Sequence, residues 1–167
     1  LSVDVVVLKT YSHTYQLSDR KFLKTLRCKF EEEDVVLKVH FRKRATERSN
    51  EILRYMSMLE RRFRDSVCVL PYRIVGRSTT DLPEGITTQY YLVRQYLHQN
   101  LKDALKTRPF FEWEEKRWIS YQLLKALEQL RAQRTVHGDL KTENLLLTSW
   151  NWVVVTDLAP FKPTRLP

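Results

Sequence analysis

The sequence predicts an α+β fold in two parts, a first half of antiparallel strands with one helix and the beginning of a helical second half. Three observations carry this. Short apolar stretches separated by charged or polar segments recur as far as Tyr96, with a single amphipathic run among them. From Trp113 to Gln133 the apolar residues repeat at helical spacing instead. After that helix a polar loop leads into two short runs rich in leucine and valine.

Taken in order, Val3 to Leu8 is a short β-branched run that reads either as a strand or as a flank, and both readings stay open. Leu17 to Phe30 carries apolar residues at 17, 22, 23, 26, 28 and 30, a late alternation that predicts one arm of a hairpin. Glu31-Glu32-Glu33-Asp34 predicts its turn, because like charges repel inside any packed element. Val35 to Val39 predicts an apolar strand with a single lysine, Lys38, which lies either on a wet edge or opposite a partner that needs it. Ala45 to Arg64 predicts a helix with Ile52, Leu53, Met56, Leu59 and Phe63 on one face.

Leu70 to Arg77 and Gln89 to Tyr96 read as two strands, joined by a polar loop from Ser78 to Thr88 that contains Pro83 and Gly85. Leu101 to Lys106 reads as a short helix closed by Pro109. Trp113 to Gln133 is the long helix, and its repeating Trp118, Ile119, Leu123, Leu124, Leu127 and Leu130 read as core. Leu145 to Thr148 and Trp152 to Thr156 read as strands, and alternation puts Trp150 and Trp152 on the same face with at least one of them packed.

Of the 167 residues, 43% are apolar and 11% aromatic, enough for a packed core and too apolar for disorder. The net charge of +9 raises nucleic acid and anionic membrane as partners. The basic residues are scattered without interleaved aromatics, which argues against nucleic acid and leaves attraction to a membrane surface as a secondary reading. Two cysteines, Cys28 and Cys68, make no disulfide framework and no metal cluster, which predicts a reduced cytoplasmic setting. No apolar run approaches the roughly 18 residues of a membrane span.

The chemistry is concentrated between Val136 and Asp157. The loop Val136-His137-Gly138-Asp139-Leu140-Lys141-Thr142-Glu143-Asn144 supplies a carboxylate, a cation and an amide, and Asp157 follows the last apolar run. Phosphoryl transfer needs those parts: a carboxylate to orient the attacking hydroxyl, a lysine near the transferring phosphate, and Asn and Asp oxygens for Mg²⁺. A polar turn between a helix and a hairpin is the plain alternative for any of these residues alone. His137 reads as a support for the loop rather than an acid or base.

Asp139 and Asn144, five positions apart, resemble the H-R-D-L-x-x-x-N loop of protein kinases, and Asp157 stands where the D-F-G aspartate does. Gly138, Ala159, Thr148-Ser149-Trp150-Asn151-Trp152, Thr107-Arg108-Pro109-Phe110 and Glu115-Lys116-Arg117-Trp118-Ile119 narrow the resemblance to one family. It is that of the kinase-like regulatory subunits of class III phosphatidylinositol 3-kinase, the vacuolar-protein-sorting type. The likeness runs from about Leu17 to Pro167 and implies a protein-kinase-like bilobal fold. Residues 1–16 would be a flank, 17–97 the N-lobe and hinge, and 98–167 a partial C-lobe. A whole kinase domain continues well past Asp157, so the resemblance also implies a fragment.

The resemblance implies that Asp139 accepts a hydrogen bond from a Ser or Thr hydroxyl and that Lys141 neutralises charge beside it. Asn144 and Asp157 would hold Mg²⁺, Lys38 would fix the α and β phosphates of ATP, and Glu60 or Glu51 would pair with Lys38. Gln95 and Leu97 would bind the nucleotide at a hinge through Tyr96, with Arg94 as gatekeeper. Convergence on one nucleotide predicts that Asp139, Asn144 and Asp157 face a cleft between lobes, with Lys38 opposite. The family further implies a class III phosphatidylinositol 3-kinase catalytic subunit and a protein substrate as partners, with peripheral attachment to endosomal or vacuolar membranes in the cytoplasm. Sorting and autophagy are the implied processes.

Three departures complicate the implied activity. Leu17 to Phe22 contains no glycine where the phosphate-covering loop of kinases needs it, Gly138 replaces the loop arginine, and Ala159 replaces the D-F-G glycine. These favour a second reading, a nucleotide-binding pseudokinase scaffold without turnover. A third is a basic helical adaptor unrelated to kinases.

Overall fold

A computed structural model of the chain describes residues 12–20, 23–43, 47–82 and 85–159, with side chains for 24–40, 53–79 and 88–159. These fall into two compact units, residues 1–59 with 72–96, and 60–71 with 97–167. Val3 to Leu8 lies outside the described residues.

The first unit is built on a five-stranded antiparallel sheet. Its strands are β1 (Ser12–Arg20), β2 (Leu23–Phe30), β3 (Glu33–Lys43), β5 (Arg73–Leu82) and β6 (Gly85–Gln95), in the order β1-β2-β3-β6-β5. Register follows the apolar alternation: Leu26 faces Leu37, Cys28 faces Val35, and Leu37 faces Val93. One face therefore gathers Cys28, Val35, Leu37, Val39, Tyr91 and Val93 into a buried cluster, with Leu26, Phe30 and Val75 packed against it. The opposite face of β3 carries Val36 and Lys38.

Three expectations change here. Leu17 to Phe30 is not one arm but parts of two strands, because β1 ends at Arg20 and β2 begins at Leu23; β1 itself starts at Ser12, ahead of the expected flank boundary. The acidic turn shrinks to Glu31-Glu32, with Glu31 at φ 54, and Asp34 joins β3, where its carboxylate pairs with Arg27. The loop expected from Ser78 to Thr88 is almost entirely strand, Leu82 pairing with Gly85. Threonines 79, 80, 87 and 88 explain this, since β-branched polar residues suit a ladder even where apolar alternation is absent.

Helix α1 (Glu47–Arg62) ends two residues before the expected Arg64, and it buries Met56 and Leu59, with Phe63 just beyond it. Leu70 leaves the strand assigned to it: Val69–Leu70 is a separate β4, and Pro71, which lacks an N–H for a ladder, divides it from β5.

The second unit holds a four-stranded sheet of order β4-β9-β8-β7, with β7 (Gln99–Asn100), β8 (Leu145–Leu147) and β9 (Val153–Thr156). β4 runs parallel to β9, pairing Val69 with Val155 and Leu70 with Thr156. Helix α2 (Leu101–Ala104) is capped by Asn100, whose side chain accepts the Asp103 N–H at 2.9 Å. Helix α3 (Trp113–Ala132) packs on β9. No helix among the described residues is long and apolar enough to cross a membrane.

Helix α3 buries Ile119, Gln122, Ala126 and Leu130. The expected core residues Trp118 and Leu124 are 44% and 65% exposed, so the buried stripe lies one step round the helix from the sequence reading. The displacement has a cause in Gln122. Its amide donates to the Asn151 carbonyl at 2.9 Å and its carbonyl accepts the Val153 N–H at 2.9 Å, which ties the turn before β9 onto the helix.

Candidate active site

The loop between α3 and β8 is built on His137. This imidazole is buried, its Nε2 lies 2.9 Å from the Thr156 carbonyl, and its Nδ1 accepts the Asp139 N–H at 3.2 Å. Those contacts fix the tautomer, with the proton on Nε2. The His137 carbonyl in turn accepts the Ala159 N–H at 2.7 Å. One residue thus fastens the loop to both sides of Asp157. Burial holds the His137 pKa below its ordinary value, so the ring stays neutral.

Gly138 follows at φ 76, in the left-handed region where a side chain is costly. Asp139 is then presented with its carboxylate partly in water. Lys141 Nζ lies 2.9 Å from Asp139 Oδ2, with the two side chains 45% and 27% exposed. The 3₁₀ turn Thr142–Asn144 brings the chain back, and Asn144, buried, donates from Nδ2 to the Asp139 carbonyl at 2.8 Å and more weakly to Oδ2 at 3.4 Å. Lys102 of α2 braces the turn through Glu143 at 2.8 Å.

The structure therefore joins Asp139, Lys141 and Asn144 directly and ties Asp157 to them through His137. Asp157 has φ 62, a left-handed conformation that Asp tolerates better than most residues and that the neighbouring bonds of Thr156 and Ala159 impose. With the Asn144 nitrogen committed to Asp139, its carbonyl oxygen is the atom left to face a cation. Among the described residues no group of three or more His, Cys, Asp and Glu side chains is set to hold a metal. Two oxygen donors, one amide and one carboxylate, nonetheless suit Mg²⁺, which keeps several waters and takes further ligands from phosphates.

The other expected site residues belong to different places in the chain. Lys38, on β3 of the first unit, has its Nζ 4.6 Å from the centre of the Tyr72 ring. Gln95 ends β6 and is exposed, and Leu97 is half-buried where the chain re-enters the second unit. Arg94 Nε donates to the Tyr72 hydroxyl at 2.9 Å. Glu60 is half-buried in the last turn of α1, and the side chain of Glu51 lies outside the described residues.

Trp150 and Trp152 do not share a face. Asn151 at φ 55 turns the chain between them, leaving Trp150 88% exposed, whereas Trp152 donates from Nε1 to the Val67 carbonyl at 2.9 Å and meets Trp118 edge-on at 6.1 Å. Asn151 Nδ2 also donates to Glu115 Oε1 at 2.9 Å. The Glu115 to Ile119 and Thr148 to Trp152 stretches, far apart in sequence, are therefore one packed unit. Sequence reasoning missed Gln122, whose signal was a polar residue spaced with Ile119, Ala126 and Leu130 on one helical face.

Residues 20–159 match the family model described as protein kinase domain. Among curated proteins, the chain is 40% identical over 149 residues to "Serine/threonine-protein kinase VPS15" of Arabidopsis thaliana, covering 88% of this chain and 9% of that one. It is 40% identical over 153 residues to "Probable serine/threonine-protein kinase vps15" of Dictyostelium discoideum, covering 90% and 7%. With "Serine/threonine-protein kinase VPS15" of Saccharomyces cerevisiae it shares 33% over 163 residues, covering 96% and 11%. The chain thus spans about a tenth of the length of these relatives.

Proposed function

The chain belongs to the protein kinase family, and from that premise we propose that the full-length protein transfers the γ-phosphate of ATP to Ser or Thr hydroxyls. The observation that carries the reading is the joining of Asp139, Lys141 and Asn144 by hydrogen bonds of 2.8 and 2.9 Å on one loop. Asp139 accepts a hydrogen bond from the acceptor hydroxyl and turns its oxygen toward the phosphate. Lys141, already against that carboxylate, offsets negative charge as it develops on the phosphoryl oxygens. Asn144 and Asp157 are the residues that would hold Mg²⁺, which supplies charge neutralisation for the phosphates when bound. Lys38 takes the α and β phosphates, Gln95 and Leu97 the base, and Glu60 or Glu51 the lysine. Catalysis on this account is positioning and electrostatics.

The Ser/Thr class rests on the names of the relatives and on Lys141 two residues after Asp139. We further propose that the full-length protein regulates a class III phosphatidylinositol 3-kinase at endosomal or vacuolar membranes, in sorting and autophagy. That part rests on the family motifs alone. The scaffold reading, with nucleotide bound and little turnover, is favoured by Ala159. This residue is buried and its N–H is spent on His137, so the segment lacks the freedom a glycine would give it.

Asp139→Asn separates the two. The variant keeps the fold and removes the base, and the full-length protein is assayed for phosphate transfer and, independently, for assembly with the lipid kinase. Loss of transfer and of lipid-kinase activation with assembly intact supports catalysis as the dominant role. Unchanged activation of the lipid kinase with transfer abolished supports the scaffold.

A further inference from the structure

Lys38 and Arg94 are two cations on one face of the first unit's sheet. Lys38 pairs with Leu92 across β3 and β6, and Arg94 lies two residues further along β6, which makes the two cations diagonal neighbours. Like charges at that separation repel, and a long lysine side chain has many rotamers in which to avoid its neighbour. The structure answers this with one aromatic ring. Tyr72 is buried, and its ring lies 4.6 Å from Lys38 Nζ and 5.4 Å from Arg94 Cζ. The tyrosine hydroxyl accepts from Arg94 Nε at 2.9 Å, while Arg94 Nη1 donates to the Gln95 carbonyl at 2.9 Å.

We propose that Tyr72, locked by Arg94, is a positioning residue that holds the Lys38 ammonium ready for the polyphosphate of a nucleotide, a role that rests on the phosphoryl-transfer reading above. The ring face carries negative electrostatic potential and attracts the ammonium from one side only. A ring face attracts an ammonium without taking a hydrogen bond from it, so the contact orients Lys38 without spending an N–H donor on the ring. Arg94 is pinned by the hydroxyl at one end and by a backbone carbonyl at the other, which keeps it from drifting onto the same anion or pushing Lys38 aside. Packing alone does not need this arrangement. A leucine or phenylalanine would fill the volume, whereas a tyrosine that contacts two cations with its face and a guanidinium with its oxygen is organised by charge.

The test uses the full-length protein with Mg-ATP as probe and adenosine as its phosphate-free control. Tyr72→Leu should weaken Mg-ATP about tenfold, the loss of one desolvated cation–π contact, and leave adenosine unchanged. Tyr72→Phe, which keeps the ring but loses the bond to Arg94, should recover part of that affinity. Tyr72→Leu combined with Lys38→Met should bind no more weakly than Lys38→Met alone, since a residue acting through Lys38 has nothing to act on once Lys38 is gone. Full additivity of the two substitutions would overturn the proposal, and so would equal losses for Mg-ATP and adenosine. The contact itself is read independently from the Lys38 Cε chemical shift without ligand: Tyr72→Phe should keep the ring-current displacement and Tyr72→Leu should lose it. If neither variant moves that resonance, the ring does not hold the lysine and the proposal falls. A wild-type protein that fails to bind Mg-ATP at all would instead overturn the phosphoryl-transfer reading itself.

Discussion

The side-chain amide of Asn144 donates to the backbone carbonyl of Asp139 at 2.8 Å, so the residue proposed to bind metal is also the clasp that closes the loop carrying the proposed base. The two roles use different atoms. Nitrogen holds the loop, and oxygen is the atom that would meet the cation.

Asn144→Ala should therefore damage both. It strands a carbonyl in a part-buried position, which costs about 1–3 kcal/mol, and it removes one proposed metal ligand. We expect a fall in the denaturation midpoint together with loss of Mg²⁺-dependent nucleotide binding. Asn144→Asp, which keeps an oxygen but loses the donor and adds a charge beside Asp139, should lose the stability as well. Retention of wild-type stability by Asn144→Ala, measured by urea unfolding, would show that the clasp is not needed.

His137 gives a pH dependence whose sign can be worked out. Burial lowers its folded pKa below the ordinary 6.5, so the unfolded chain binds the proton more readily. The contribution is fully present above about pH 6.5 and is lost as pH falls through the depressed folded value. Denaturation midpoints measured from pH 7.5 down to 5 should drop in wild type. In His137→Phe this component of the slope should vanish on top of a lower overall stability. An identical slope in both would assign the acid sensitivity elsewhere.

Gln122→Met preserves volume but cannot reach the Asn151 carbonyl or the Val153 N–H. We expect destabilisation of about 1–3 kcal/mol from the unpaired backbone groups, and faster hydrogen exchange at the Val153 amide in particular. Exchange that rises uniformly through β8 and β9 would argue that Gln122 supports the whole sheet rather than the turn.

Gly138→Ala places a Cβ on a residue at φ 76. The left-handed region costs a non-glycine residue about 1–2 kcal/mol, and in this loop the strain would be relieved by shifting Asp139. Transfer activity should fall more than stability does. A variant with full activity and lowered stability would mean that the loop absorbs the strain elsewhere.

Much of the fold was legible because its signals are local. Alternation at Val35, Leu37 and Val39 fixed one sheet face, and the helical period located α3 to within one residue and the end of α1 to within two. The failures have a common origin in polar residues used for structure. Threonines 79, 80, 87 and 88 form strand without apolar alternation, and Gln122 occupies the buried stripe of α3, so a reading by hydrophobicity displaced the stripe toward Trp118 and Leu124. At the site, the spacing of Asp139 and Asn144 placed both on one loop. The bonds that shape that loop were invisible, since they run to backbone atoms: Asn144 to the Asp139 carbonyl, and His137 to Thr156 and Ala159. A left-handed Asn151 likewise broke the alternation that would have put Trp150 beside Trp152.

The most direct test of the central claim is the rate of γ-phosphate transfer from labelled ATP to a protein acceptor by the full-length protein, compared between wild type and Asp139→Asn. Removal of a positioned base costs typically 10²–10⁴-fold in rate, so the account predicts transfer onto Ser or Thr that falls by at least about 100-fold in the variant, with Mg-ATP affinity and denaturation midpoint unchanged. Equal transfer rates in the two proteins would contradict it.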